Sequence, residues 1–257
     1  MKLDMHCHTK EGSLDGKVSI KDYIHRLIEL GYDGMLVTDH NSYNGYRAYR
    51  DQFITEIPSN FVVLRGIEYD TLDAGHILVI MPEDCKLKLL EYRGLRVNAL
   101  IDIVHKYGGI LGPAHPCGER HLSFTRTRAY KKNPDIMSRF DFLEAYNSCE
   151  STISNENASI LADLHKLVQF GGSDSHKIEC VGTAYTELPV HVTKESELID
   201  YVKQHALCEC GGGHYDGTVK QIIGFLNHFL VESFWFYNRF ASLFRYRKRA
   251  LALNKVI

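Results

Sequence analysis

The 257-residue chain lacks a charge of one sign to spare: 30 Lys and Arg stand against 32 Asp and Glu, a formal net charge of −2. A balance so close to zero gives no general electrostatic drive toward nucleic acid. It also lacks a CxxC pair matched by a second CxxC or by an HxxxH, which argues against a structural zinc module. Its seven cysteines are odd in number and scattered, and no secretory signal is recognisable. Both features predict reduced thiols and a cytoplasmic location. There is no internal repeat and no low-complexity linker. Nor is there a clean membrane span, because Asn227, His228, Glu232, Asn238 and Arg239 interrupt the most aromatic stretch.

What remains is an ordinary globular composition, 44% hydrophobic and 24% charged, with a high count of 14 histidines. A chain of this length fits one α/β barrel of roughly 250 residues, so no division of the core is forced. Short apolar runs at residues 2–6, 35–38, 61–64, 77–81, 110–112, 142–147 and 183–188 read as strands. Helical stripes fall between them, at residues 20–30 (with Ser19 as N-cap), 43–55, 94–107, 155–170 and 194–206. Residues 207–210 read as one more strand, before a turn at Gly211-Gly212-Gly213. Such alternation predicts a mostly parallel α/β fold with its site at the C-terminal ends of the strands.

Histidines and acids gather at those ends. His6 and His8 close the first run, and side chains at i and i+2 of a strand point the same way. His40, Glu68, His115, Glu144, Asp174 and His176 each follow an apolar run, whereas His76 stands at the start of one. One such residue means little. So many buried polar groups in one pocket would cost several kcal/mol each without partners. A cluster of divalent cations meets that cost, since imidazole and carboxylate are standard ligands.

The motifs His6-Cys7-His8, Thr38-Asp39-His40, Gly66-Ile67-Glu68, Gly75-His76, Pro113-Ala114-His115-Pro116, Glu144-Ala145-Tyr146-Asn147 and Gly172-Ser173-Asp174-Ser175-His176 resemble, in order, those of the PHP (polymerase and histidinol phosphatase) family. The resemblance covers about residues 1–190. It implies a distorted (β/α)7 barrel holding two or three divalent metal ions (Mn, Fe or Zn), and a phosphoesterase activity. Carried over position by position, it implies one metal on His6, His8, Glu68 and Asp174. A second would lie on Glu68, His76 and His115, and a third on His40, His176 and Asp15. Asp15 precedes Gly16, as in the nucleotide-phosphatase-like members, which favours the ligand role over a plain turn residue.

The expected reaction is hydrolysis of a small phosphomonoester or nucleotide by a metal-bridging hydroxide. The alternatives are a 5′→3′ exonuclease on short oligonucleotides, a histidinol-phosphate phosphatase, and a non-catalytic metal-binding interaction module. Asp39 is either a partner orienting a ligand histidine or a helix N-cap. Arg120, His121, Arg126 and Arg128, in the basic stretch 117–133, are candidates for holding phosphate, against a plain solvated loop. Asn147 either contacts substrate or braces its loop.

Residues 1–215 are expected to form the barrel and 216–257 a C-terminal aromatic and basic helical extension. Phe225, Phe229, Phe234, Trp235, Phe236, Tyr237, Phe240 and Phe244 precede Arg245-Tyr246-Arg247-Lys248-Arg249. Three readings stand open for it: a helix packed on the barrel, an oligomer contact, or an amphipathic helix on an anionic membrane surface.

Overall fold

The computed structural model describes residues 1–119 and 123–216, together with Phe229, Ser233, Phe236, Tyr237 and Phe240. The strands are β1 (Lys2–Cys7), β2 (Gly34–Val37), β3 (Val62–Asp70), β4 (His76–Ile80), β5 (Ile110–Pro113), β6 (Phe142–Asn147), β7 (Val168–Gly172), β8 (Ala184–Glu187) and β9 (Glu209–Gly212). The helices are α1 (Ile20–Glu29), α2 (Asn44–Ala48), α3 (Val97–Lys106), α4 (Arg128–Lys132), α5 (Thr152–His165) and α6 (Glu195–Lys203).

Seven strands form one curled sheet in the order β5-β4-β3-β2-β1-β8-β9, and β6 and β7 pair separately. The sheet is mixed, which corrects the expectation of a mostly parallel one. β1, β2 and β3 run parallel, while β4 is antiparallel to β3 and to β5, and β8 to β1 and β9. The link from β3 to β4 is a hairpin too short to hold a crossover helix, so β4 must turn back. That reversal explains His76. Asp70, at the end of β3, pairs with His76 at the start of β4, so both lie at the same end of the sheet.

Leu3, Met5, Leu36, Leu64, Leu78, Ile80, Phe142 and Phe170 make a core between the sheet and the β6–β7 pair, closed by Leu198, Ile199 and Val202 of α6. Cys7 shares strand parity with Leu3 and Met5, yet packs in a different cluster, with Ile20, Tyr23, Ile24 and Leu27 of α1. A register shift between Asp4 and Cys7 accounts for the change of face. Bulges of this kind re-aim side chains beside functional sites. Here the bulge turns Cys7 out to the helix layer and leaves His6 and His8 facing inward.

Two helices differ from the sequence expectation. The stretch 43–55 is not one α-helix: α2 passes into a π-helical turn over Tyr49–Phe53. The helix expected over 155–170 starts earlier and stops at His165. Lys166 takes a left-handed conformation (φ 55°), and Val168 opens β7. In this second case alternating Val168 and Phe170 fit a strand better than a fourth helical turn. The expected 216–257 extension lies outside the described residues, except for the five positions named above. No helix among the described residues is long and apolar enough to cross a membrane.

Candidate metal centre

Glu68, 1% exposed on β3, is the hub of the site. Its Oε2 lies 3.5 Å from His6 Nε2, 3.2 Å from His8 Nε2 and 3.0 Å from His40 Nδ1. Its Oε1 lies 2.9 Å from His76 Nδ1 and 3.3 Å from His115 Nε2. Asp174 Oδ1 approaches His6 Nε2 at 3.6 Å and His8 Nε2 at 3.3 Å. At the rim, Asp15 Oδ2 is 3.3 Å from His176 Nε2 and 3.7 Å from His40 Nε2. The structure therefore brings His6, His8, Asp15, His40, Glu68, His76, His115, Asp174 and His176 into one cluster. Two of its loop residues, His115 and Asp174, carry positive φ (30° and 50°). Strain of this sort persists where neighbours over-determine the backbone, and it concentrates at functional sites.

The hydrogen bonds fix which imidazole nitrogens carry lone pairs. His6 Nδ1 donates to Glu144 Oε1 at 2.8 Å, which leaves the lone pair on Nε2. Ser13 Oγ donates to Asp39 Oδ1 at 2.9 Å, so it accepts from His8 Nδ1 at 3.1 Å, and His8 Nε2 is likewise unprotonated. The two bare Nε2 atoms nevertheless face each other at 3.1 Å. His176 Nδ1 donates to the Asp174 carbonyl at 2.9 Å, which turns its lone pair on the Asp15 carboxylate. Facing lone pairs repel unless a cation or a proton sits between them. Glu68 Oε2, His40 Nδ1, His76 Nδ1, His115 Nδ1 and Asp70 Oδ1 are also buried without a hydrogen-bond partner. Each such group costs about 1–3 kcal/mol. The donor set thus fits divalent cations. Groups able to hold one are His6–His8–Glu68, Glu68–His76–His115, His8–His40–His176 and His40–Asp70–His76.

The electrostatics agree. Burial opposes charge on His6, but Glu144, Asp174 and Glu68 outweigh it and lift its pKa well above the usual imidazole value. For His40, burial is again outweighed, by Glu68, Asp70 and Asp15, and the pKa rises to about 10. Burial would raise Glu68, yet His76, His40 and His6 hold it well below the carboxylate range. A pocket that draws protons onto imidazole this strongly is one that a metal cation can occupy instead.

Asp39 is not a helix cap, since Tyr43 occupies that position without a side-chain cap bond. Its Oδ1 accepts from Thr9 N at 2.6 Å and from Ser13 Oγ, and its Oδ2 accepts from Thr9 Oγ1 at 2.8 Å. It therefore reaches His8 through Ser13. Asn147 Nδ2 donates to Glu144 Oε2 at 3.1 Å and to Asp174 Oδ2 at 3.3 Å, bracing two acids of the site. Arg126 is exposed and donates Nε to the Gly118 carbonyl at 3.0 Å. Arg128 is exposed at the start of α4. Among the described residues neither joins the histidine cluster, and Arg120 and His121 lie outside the described residues.

Sequence reasoning missed Asp70, whose Oδ1 lies 3.5 Å from His40 Nδ1 and 3.4 Å from His76 Nε2. The signal was available. Asp70 is two residues after Glu68 on a strand, the same spacing that singled out His6 and His8. Ser13 was missed as well, and a lone serine in a turn offers no comparable pattern.

Several known proteins are similar to parts of this chain or to its fold. A family model described as PHP-associated matches residues 152–207, from α5 through α6, a span that includes Asp174 and His176. A PolC-type DNA polymerase III of Staphylococcus saprophyticus is 29% identical over 91 residues, 35% of this chain and 6% of the polymerase. Its counterpart in Lacticaseibacillus paracasei is 30% identical over 74 residues, 29% of this chain and 5% of that protein. The chain thus matches only a small part of either polymerase. Among solved structures, a two-domain protein from Bacteroides vulgatus, named for a PHP-like metal-dependent phosphoesterase, aligns with TM-score 0.63 and 15% identity over 83% of this chain and 65% of that one. A candidate metal-dependent phosphoesterase from Bifidobacterium adolescentis aligns with TM-score 0.55 and 15% identity over 79% and 96%. An Endonuclease Q, in complex with duplex DNA bearing an abasic lesion, aligns with TM-score 0.52 and 15% identity over 79% and 56%. These likenesses show the fold. The PHP-associated model covers the part of the chain that carries Asp174 and His176, and the fold is the one shared by these PHP-like phosphoesterases.

Proposed function

We propose that this protein is a metal-dependent hydrolase of phosphate esters acting on a small phosphomonoester or nucleotide. The observation that carries the reading is Glu68, one carboxylate surrounded by five imidazoles, two of which present facing lone pairs. In this reading His6, His8, Glu68 and Asp174 hold one ion, and Glu68, His76 and His115 a second. Asp15, His40 and His176 hold a third. Manganese, iron and zinc all suit such a mixed shell. When bound, such ions polarise phosphoryl oxygens and make water acidic enough to attack near neutral pH.

The chain's own residues do the rest. Glu144 keeps the proton on His6 Nδ1, Ser13 keeps it on His8 Nδ1, and the Asp174 carbonyl keeps it on His176 Nδ1. Asp39 acts as a positioning group behind Ser13. The first site is buried and the second opens only at His76, 15% exposed, while His40, His176 and Asp15 are 19%, 29% and 56% exposed and form the mouth through which a phosphate enters. Arg120, His121, Arg126 and Arg128, on the stretch after His115, supply the cationic groups for the rest of the substrate.

A 5′→3′ exonuclease on short oligonucleotides is the second reading. It is favoured by the approach of Asp15 to His176 and by the fold shared with a DNA-bound endonuclease. The test is release of inorganic phosphate or nucleotide by the purified chain with manganese. The panel holds phosphomonoesters including histidinol phosphate, cyclic and linear nucleotides, and short oligonucleotides. Turnover of monoesters, lost on chelation, is expected. Cleavage of oligonucleotides alone would transfer the assignment to the exonuclease. Inactivity of a fully metal-loaded protein would leave a non-catalytic binding module.

A further inference from the structure

Asp70 has no part in the three ligand sets above, yet it is built into the same pocket. Its Oδ1 stands 3.5 Å from His40 Nδ1 and 3.4 Å from His76 Nε2, and its Oδ2 is 3.4 Å from an Arg93 guanidinium nitrogen. Each histidine turns its other nitrogen elsewhere, His40 Nε2 toward Asp15 at 3.7 Å and His76 Nδ1 toward Glu68 at 2.9 Å, while His40 Nδ1 is shared between Asp70 and Glu68 Oε2 at 3.0 Å. One carboxylate therefore stands behind two imidazoles that serve different parts of the centre. The backbone locks it there. Asp70 N–H donates to Asn41 Oδ1 at 3.1 Å, one residue from His40. Asp70 pairs with His76 across the β3–β4 hairpin. The Gly94 N–H donates to the Asp70 carbonyl at 2.8 Å, one residue from Arg93.

A neutral imidazole has one N–H, and the acceptor behind it decides which nitrogen keeps the lone pair. An acceptor at His40 Nδ1 leaves Nε2 bare, and one at His76 Nε2 leaves Nδ1 bare. The bare His40 Nε2 then faces Asp15 and the bare His76 Nδ1 faces Glu68, with Glu68 Oε2 joining Asp70 as an acceptor beside His40 Nδ1. We propose that Asp70, anchored by Arg93, is a positioning residue that sets the tautomer of His40 and His76 together and so couples cation binding at two sites. This rests on the metal-centre reading above. Asp70 itself is not a ligand in this scheme. The contacts of 3.4–3.5 Å are long for hydrogen bonds but within reach of small side-chain adjustments.

The experiment is calorimetric manganese titration of the metal-stripped full chain, with bound ions counted by elemental analysis. It is run on the wild type, Asp70→Asn and Arg93→Gln, and melting curves of the stripped proteins report folding. Loss of an outer acceptor behind a ligand histidine weakens metal binding by about 10- to 100-fold. Asp70→Asn should show that loss at two sites at once, and Arg93→Gln a smaller loss in the same direction. The site of His6 and His8 should be unchanged. Cobalt-loaded Asp70→Asn should show an altered visible spectrum, which a merely structural role would not produce. Disappearance of one ion with the others at full affinity would make Asp70 a direct ligand and overturn the proposal. Unchanged affinities in folded Asp70→Asn would overturn it too. If Asp70→Asn does not fold, wild-type affinity in Arg93→Gln would overturn it instead. A wild type that binds no metal would bring down the metal-centre reading itself, a result distinguishable from the others.

Discussion

At the scale of single residues, the proposed centre leans on groups outside its ligand sets. Glu144 illustrates this. One oxygen takes the His6 Nδ1 proton at 2.8 Å and the other accepts the His115 backbone N–H at 2.6 Å, so it sets a tautomer and a loop together. Glu144→Gln keeps the shape but can present its NH2 to either donor. A fall of about 10- to 100-fold in manganese affinity is expected, read by calorimetry on the stripped protein. An unchanged affinity would show that His6 needs no such partner. Ser13→Ala removes the acceptor behind His8 and one donor to Asp39, and should weaken binding over a similar range. These supporting residues were the least legible in the sequence. Most of the nine residues of the cluster stand in ordered motifs or at strand ends, and the family resemblance marks them together. Ser13 links His8 to Asp39, 26 positions on, from a place no local pattern marks, whereas Asp70 stood at a readable i+2 spacing from Glu68.

At the scale of elements, the alternation of apolar runs located the strands well, because each is a short buried segment bounded by turn residues. Direction was not legible. Nothing in His76-Ile77-Leu78-Val79-Ile80 states that β4 runs against β3, and only the shortness of the hairpin forces it. The end of α5 was misjudged for a related reason. Leu161, Leu167 and Val168 continue a helical stripe, and the left-handed Lys166 that breaks it is not a glycine. The close packing of β7 on β1 is also invisible in sequence. A Cβ placed on Gly172 would lie 2.3 Å from His6 Cβ and 2.5 Å from its backbone nitrogen, so these strands meet where no side chain fits. Gly172→Ala should force β7 away from β1, cost about 1–3 kcal/mol, and displace Asp174 two residues on. The expected signature is a lowered melting temperature together with weakened metal binding. A variant that melts like the wild type would show that the contact relaxes freely.

At the scale of the whole molecule, the balanced net charge conceals a steep local imbalance, and that imbalance makes stability depend on what fills the pocket. His40 has its pKa raised from 6.5 to about 10 by Glu68, Asp70 and Asp15 against the opposing effect of burial. A raised pKa means that the folded state holds the proton more tightly than the unfolded one. The resulting stability is fully present below pH 6.5 and is lost as the pH climbs toward 10. Glu68 works in the other direction: its depressed pKa gives stability above its ordinary 4.5 that disappears in acid. The metal-stripped chain should therefore be most stable in mildly acidic solution and melt at progressively lower temperature from about pH 6.5 to pH 10. In the proposed centre manganese would replace the protons at the imidazoles, and its binding would strengthen as they deprotonate. At a thousandfold excess over the dissociation constant, one site adds about 4 kcal/mol. For a chain of this size that corresponds to a rise in melting temperature on the order of 10 °C. The gap between loaded and stripped protein should consequently widen with pH, and melting curves at pH 6 and pH 9 with manganese or chelator measure it directly. A stripped protein that grows more stable across that interval, or a gap that closes, would mean that these imidazoles are not held as the geometry of Glu68 and Asp70 requires.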